Sequence, residues 1–205
     1  MIEKIAKKRD IRCLWHFTRL DNLEAILENG LVPRSVLEEN QEEVIFNDEY
    51  RLDGQKDAIC FSIGHPNYKM FYSLRTTHKD IDWIVLACDP EILWVKDCAF
   101  CIENAASNNV TKVELQDRKG AEAFEKLFEE IDGKPSREDL GISEFCPTNP
   151  QAEILVFDRV EPEFIGGICC ETTKEREDLR EVYPEWQIEE VNGVFRARKD
   201  YKHWK

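Results

Sequence analysis

Apolar positions along this chain alternate between a period of two and a period near 3.6. In "CLWHFT" (13–18) Leu14, His16 and Thr18 fall on one side and Cys13, Trp15 and Phe17 on the other, which predicts a strand. "DNLEAILENG" (21–30) follows with Leu23, Ile26 and Leu27 at helical spacing. Asp21 stands where an N-cap belongs, Glu24 completes a capping box, and Gly30 is a natural stop. "AICFSI" (58–63) and "DWIVLACD" (82–89) predict two more strands, the second buried. Between them "PNYKMFYSLR" predicts a helix opening at Pro66, because proline suits a first helical turn. "GAEAFEKLFEEI" (120–131) carries Ala123, Phe124, Leu127, Phe128 and Ile131 on one helical face. "AEILVF" (152–157) and "EFIGGICCE" (163–171) predict strands and "KEREDLREVY" (174–183) a helix. The last residues predict a short strand and a basic tail.

Two stretches carry no sustained period. Residues 32–55 predict an acidic loop with room for one helical turn, and 132–150 form a polar stretch leading into "AEILVF". Loops of this length in a compact domain are functional or mobile. No repeat or linker divides the 205 residues, so one domain over 1–205 is expected. Strands and helices are interspersed without a βαβ rhythm, which points to an α+β fold. GxGxxG and GxxxxGK[ST] are absent from the sequence, so neither a Rossmann nor a P-loop site is supported.

With 42% hydrophobic and 34% charged residues, the composition is that of a soluble globular protein. No apolar run is long enough for a bilayer, and "MIEKIAKKRD" lacks a signal-peptide core, so no membrane association and a cytoplasmic location are expected. Most of the eight cysteines sit in apolar stretches, where a thiol behaves as a small hydrophobe. Cys98 and Cys101 make one CxxC with no second pair and no nearby histidine, so no metal site is expected. The net charge of −14 argues against nonspecific affinity for nucleic acid, although a local basic track remains compatible with it. Acidic residues crowd 38–49. Basic ones collect at both ends, at Lys4, Lys7, Lys8, Arg9 and Arg12 and at Arg196, Arg198, Lys199, Lys202 and Lys205.

Three places could carry chemistry: His16 with Thr18, Arg51 after the acidic stretch, and Glu153 at the head of an apolar strand. A carboxylate beside a core costs free energy unless something pairs with it or uses it. Taken singly, each has a plain structural reading as a bonded strand histidine, a surface ion pair or a solvent-edge glutamate. Together, "WHFTRLDNLEAILENGLVPR", "YRLDG", "FSIGHPNYKMFY" and "NPQAEILVF" resemble the DarT family, the toxins of DarT–DarG toxin–antitoxin systems. The likeness covers roughly Cys13 to Val160.

The resemblance implies an ADP-ribosyltransferase fold, a split, twisted mixed β-sheet flanked by helices. It also implies a toxin that splits NAD+ and attaches ADP-ribose to a base of single-stranded DNA, blocking replication in toxin–antitoxin or phage defence. RNA is the alternative acceptor. A macrodomain antitoxin of DarG type is implied by the family alone, and a monomer is the default expectation.

The chemistry asks for residues of these types. Breaking the nicotinamide–ribose bond passes through a cation-like sugar, as glycoside cleavage does. Nicotinamide leaves neutral, so one carboxylate facing the ribose can both stabilise the cation and take the proton of the nucleophile. That role is assigned to Glu153, which alternation groups with Leu155 and Phe157, opposite Ile154 and Val156. Arg51 is assigned to the diphosphate or ribose, since guanidinium meets phosphate oxygens as a fork. His16, Thr18, Asn22 and Leu23 are expected to line the NAD+ site, and Phe71 and Tyr72 to stack on nicotinamide, with core packing the equal alternative for Phe71.

For the acceptor, "GISEFCPTNPQ" stands where such transferases carry a substrate-reading loop. Phe145, Asn149 and Gln151 are its candidates, and His65, Tyr68, Lys69 and Arg75 could extend the strand-binding face. The Gln151-Ala-Glu153 spacing keeps a protein-modifying transferase open, and a noncatalytic binding module is the reading from another class.

Overall fold

The computed structural model describes residues 1–39 and 54–204. Seven strands pair into a mixed sheet: β1 (Leu14–Arg19), β2 (Ile59–Ile63), β3 (Trp83–Cys88), β4 (Cys98–Cys101), β5 (Glu153–Val156), β6 (Ile165–Cys170) and β7 (Ile188–Glu190). Their order is β4-β5-β2-β1-β3-β6-β7. Every pairing is antiparallel except β6 with β7. β1 pairs with β3 along its whole length, but with β2 only at Leu14↔Ile63 and Trp15↔Ser62. Beyond that short junction the two halves of the sheet part company, which is the split the family resemblance implies.

The registers sort the side chains onto two faces. Leu14, Ile84, Leu86, Phe61, Phe100, Ile154 and Val156 share one face and the main core. That face is covered by α1 (Ile2–Lys8), α2 (Leu23–Asn29), α5 (Ile92–Val95), α7 (Gly120–Lys126) and α9 (Thr173–Val182). Fully burying a Leu or Phe of this kind contributes about 1.5–3 kcal/mol. The other face carries two smaller clusters. Trp15, Phe17, Trp83 and Val85 pack against Phe71 and Leu74 of α4 (Tyr68–Thr77) and against Val194 and Phe195, while Leu155 and Cys101 pack against Ala105 and Val110. The remaining helices are short: α3 (Arg34–Glu39), α6 (Asn108–Thr111) and α8 (Arg137–Leu140).

Several boundaries differ from the sequence expectation. Asp21 does not cap α2: a 3₁₀ turn over Leu20–Asn22 precedes it, and Asn22 takes the cap position without a side-chain cap bond. α4 starts at Tyr68, because the Asn67 side chain accepts from the Met70 N–H and so becomes the cap in place of Pro66. β4 arises where periodicity over four residues is too short to read. Gly30 does end α2, at φ +76°. A Cβ there would lie 2.2 Å from the Val160 carbonyl oxygen, which the backbone of Leu31 engages as a bridge. Among the described residues no helix is long and apolar enough to cross a membrane.

Candidate active site

Glu153 opens β5 and is only 5% exposed, on the same face as Leu155. Among the described residues, three N–H groups donate to its carboxylate. The Ala105 backbone donates to Oε2 at 2.7 Å, Asn67 Nδ2 to Oε1 at 3.0 Å and Asn104 Nδ2 to Oε1 at 3.4 Å. Each donor is itself held. Asn67 is fully buried, its own N–H donates to Ser62 Oγ on β2, and its Oδ1 caps α4. Asn104 Oδ1 accepts from the Ala106 N–H, and Ser107 caps α6. A buried carboxylate with oriented donors from two separate segments is fixed in rotamer and in hydrogen-bond partners before any substrate arrives.

Asn67 was not legible as a functional residue. The sequence placed it inside the helix expected to open at Pro66, and only the structure makes it the cap of α4. Replacing it with serine keeps a capping oxygen and removes the amide donor. Transfer by Asn67→Ser is expected to fall by up to about 100-fold, the cost of a misplaced reacting group, and melting should fall as well, because the buried carboxylate loses one of its donors. Wild-type rates from that variant would remove Asn67 from the positioning of Glu153.

His16 and Thr18 lie on the main-core face of β1, opposite the face of Glu153. They do not converge with Glu153 on one side of the sheet. The connection runs through the split: His16 Nδ1 lies 2.8 Å from the Cys60 carbonyl oxygen of β2, where the β1–β2 ladder has ended. Thr18 is buried and its Oγ1 accepts from Asn22 Nδ2 at 3.2 Å, so these two expected residues do meet. Leu23 is fully buried in the main core, and its side chain is a packing group, not a pocket wall. Arg51, and with it most of the acidic stretch, lies outside the described residues. Within them, Glu38 pairs with Arg34 and Lys56.

Phe71 is 1% exposed, stacked on Phe17 with centroids 4.7 Å apart and edge-on to Trp83. Core packing accounts for its ring, which also reaches the edge of a groove beside α4. Tyr72 is exposed and opens with Tyr68, Lys69 and Arg75 onto this groove of about 820 Å³, which runs between α4 and Trp83, Phe195 and Arg196. Glu153, Asn67, His16 and Thr18 do not line it. Arg75 is committed to Glu171 and to the Phe195 carbonyl, so it builds the groove wall. His65 is held between the Pro66 and Gly193 carbonyls. Burial lowers its pKa, and those carbonyl contacts oppose the shift.

The stretch before Glu153 is pinned from both chain ends. Arg9 donates to the Glu144 carbonyl, Arg137 to those of Ser143 and Cys146 and to Thr148 Oγ1, and Arg198 to those of Pro147 and Thr148. Arg198 is buried and forked onto Asp200 at 2.7 Å through Nε and Nη2, and Trp204 Nε1 donates to the same carboxylate at 2.6 Å. The basic ends are thus only partly the solvated surface that charge alone suggests. Asn149 Oδ1 accepts from the Gln151 N–H and shapes the turn into β5. Phe145 packs partly against the core, where Gly64 has φ +73° and a Cβ would sit 3.1 Å from its ring. Gln151 stays half-buried two residues ahead of Glu153.

Cys98 and Cys101 are three apart on a strand, so alternation sends them to opposite faces and separate clusters. Burial pushes Cys98 up to about 12, with Asp97 adding to the shift, so it remains a neutral thiol. Among the described residues no three His, Cys, Asp or Glu side chains are arranged to hold a metal.

A mixed sheet split between β1 and β2, with helices on both faces, is an ADP-ribosyltransferase-type fold, and the buried glutamate at the head of β5 is its candidate site. A family model described as "ssDNA thymidine ADP-ribosyltransferase, DarT" matches residues 15–196, and the chain belongs to that family. Solved structures carry the same fold. Thermosipho africanus DarTG in complex with ADP-ribose superposes with a TM-score of 0.62 at 17% identity, covering 90% of this chain and 51% of that one. Thermus sp. 2.9 DarT in complex with NAD+ gives 0.54 at 12% identity over 91% and 98%. The same Thermus protein with ADP-ribosylated ssDNA gives 0.52 at 12% identity over 91% and 97%. The chain spans about half the length of the Thermosipho protein. No curated protein matches it in sequence.

Proposed function

We propose that this chain binds NAD+ across the split of its sheet and transfers ADP-ribose to a thymidine base of single-stranded DNA. The observation that carries this is the Glu153 carboxylate, buried yet held by Asn67, Asn104 and Ala105 at the head of β5. The bond between nicotinamide nitrogen and ribose C1′ breaks, its electron pair leaving with neutral nicotinamide. A bond forms from C1′ to a base nitrogen, whose proton passes to Glu153 and then to water. Glu153 steadies the developing sugar cation before it accepts that proton. His16, Thr18 and Asn22 hold NAD+ on the far side of the split, with Arg51 on the diphosphate. Phe145, Asn149 and Gln151 face the base from the pinned loop. A base must be unpaired to react, which suits a single strand.

The reading extends to a DarG-type macrodomain antitoxin that hydrolyses the product, and to a cytoplasmic monomer. The test is incubation with NAD+ and, separately, single-stranded DNA with and without thymidine, duplex DNA, RNA and a protein lysate, read by mass. Modification confined to thymidine-containing single strands is expected. Transfer to RNA or protein instead would replace the acceptor, and no transfer to any of them would overturn the reading.

A further inference from the structure

The groove beside α4 has no part in the chemistry described above. It is lined by Lys69, Tyr72, Lys79 and Arg196 above a floor that includes Tyr68 and Trp83. Lys69, Lys79 and Arg196 form no ion pair among the described residues, and the one carboxylate in the lining, Glu171, is taken by Arg75. In a chain of net charge −14, three uncompensated cations in one concave strip are a local reversal of sign. Tyr72, 68% exposed, presents an aromatic face beside them. Two polar atoms of the floor, Tyr68 Oη and Trp83 Nε1, are buried with no hydrogen-bond partner among the described residues. Buried polar groups left unpaired are uncommon and point to a bound partner or water.

The groove is also placed to serve the site. α4 runs along it for ten residues, about 15 Å. Its first residue, Tyr68, follows Asn67, whose amide holds Glu153. Cations that track a backbone, interleaved with an aromatic platform, are the chemistry of single-strand binding. At a stacked spacing of about 3.4 Å the groove is long enough for several nucleotides.

We propose that this groove is the track for the single-stranded DNA flanking the modified base. Its cations meet successive phosphates, and Tyr72 stacks on one unpaired base. The proposal rests on the transferase reading and locates the part of its substrate that is not chemically altered. The groove would therefore set affinity and not base choice, since phosphate contacts position a strand without reading its sequence.

The experiment measures binding of a labelled thymidine homopolymer, long enough to overrun the groove, across a range of salt concentrations. It compares wild type with Lys79→Ala/Arg196→Ala and with Tyr72→Ala, and melting checks the fold. Each lost phosphate contact should flatten the dependence of log affinity on log salt by about 0.7, so the double variant should lose about 1.4. Tyr72→Ala should weaken binding while leaving the salt slope at its wild-type value. An unchanged slope in the double variant, in a protein that melts normally, would overturn the track. Failure of the transferase reading is a separate result, seen as wild-type protein that binds the strand yet transfers no ADP-ribose.

Discussion

Replacing Glu153 with glutamine should lower ADP-ribose transfer by about 10²- to 10⁴-fold, the range for losing a positioned general base. The variant keeps the size of the side chain and removes its charge, so binding of NAD+ should survive. It should also cost stability, for a reason specific to this cradle. Donors approach both oxygens: Ala105 on Oε2, and Asn67 and Asn104 on Oε1. An amide offers one acceptor oxygen, and its NH₂ group must then face another donor. One buried N–H left unpaired costs about 1–3 kcal/mol. At about 2–4 °C per kcal/mol for a chain of this length, melting should fall by about 2–12 °C. Transfer within a few-fold of wild type would remove Glu153 from the reaction.

The second large effect is expected at Arg198, whose side chain never approaches Glu153. Arg198→Ala removes the fork onto Asp200 and the two bonds to the Pro147 and Thr148 carbonyls. It also strands a buried carboxylate. Breaking such a pair costs about 3–5 kcal/mol, which converts to about 6–20 °C in Tm. Removing both partners with apolar residues should cost less than removing Arg198 alone, because no charge is then left buried. Acid should narrow the gap between wild type and variant. Burial alone would raise Asp200, but the bonds from Arg198 and Trp204 outweigh it and hold the carboxyl below its ordinary value of 3.8. A depressed pKa gives stability that is present above 3.8 and is lost as pH falls through the lower folded value. Melting curves from neutral pH down to about 3 check the sign, and a gap that widened in acid would contradict it.

The loop that Arg198 holds is also gripped by Arg9 and Arg137, so residues from both ends of the chain decide the shape of the segment leading into Glu153. The family model stops at residue 196, before Arg198, Asp200 and Trp204. This C-terminal clasp belongs to the structure of this chain and not to the matched span.

Much of the architecture was legible from periodicity. β1, β2, β3, β5 and β6 coincide to within a residue or two with the alternating or wholly apolar stretches, and α4, α7 and α9 with the helical ones, because those patterns are local and each element buries its own apolar side. Glu153 was legible for a similar reason, since a carboxylate heading an apolar strand stands out against its neighbours. What held it was not. Asn67 lies 86 positions away from Glu153 and Ala105 lies 48 away, and nothing near either residue marks its partner. Phe71 shows where pattern leaves a choice open: the sequence allowed both stacking on a ligand and core packing, and its contacts with Phe17, Trp83 and Phe195 supply the core packing.

The sequence by itself determined the α+β class, most strands and the candidate carboxylate, which rest on short-range pattern, and its motifs carried the family likeness. The tertiary structure decided which face each candidate occupies, which cations are clamps and which stand unpaired, and what a buried glutamate is bonded to. Strand registers and loop clamps join residues tens of positions apart. Their energies depend on distance in space, which spacing along the chain does not encode.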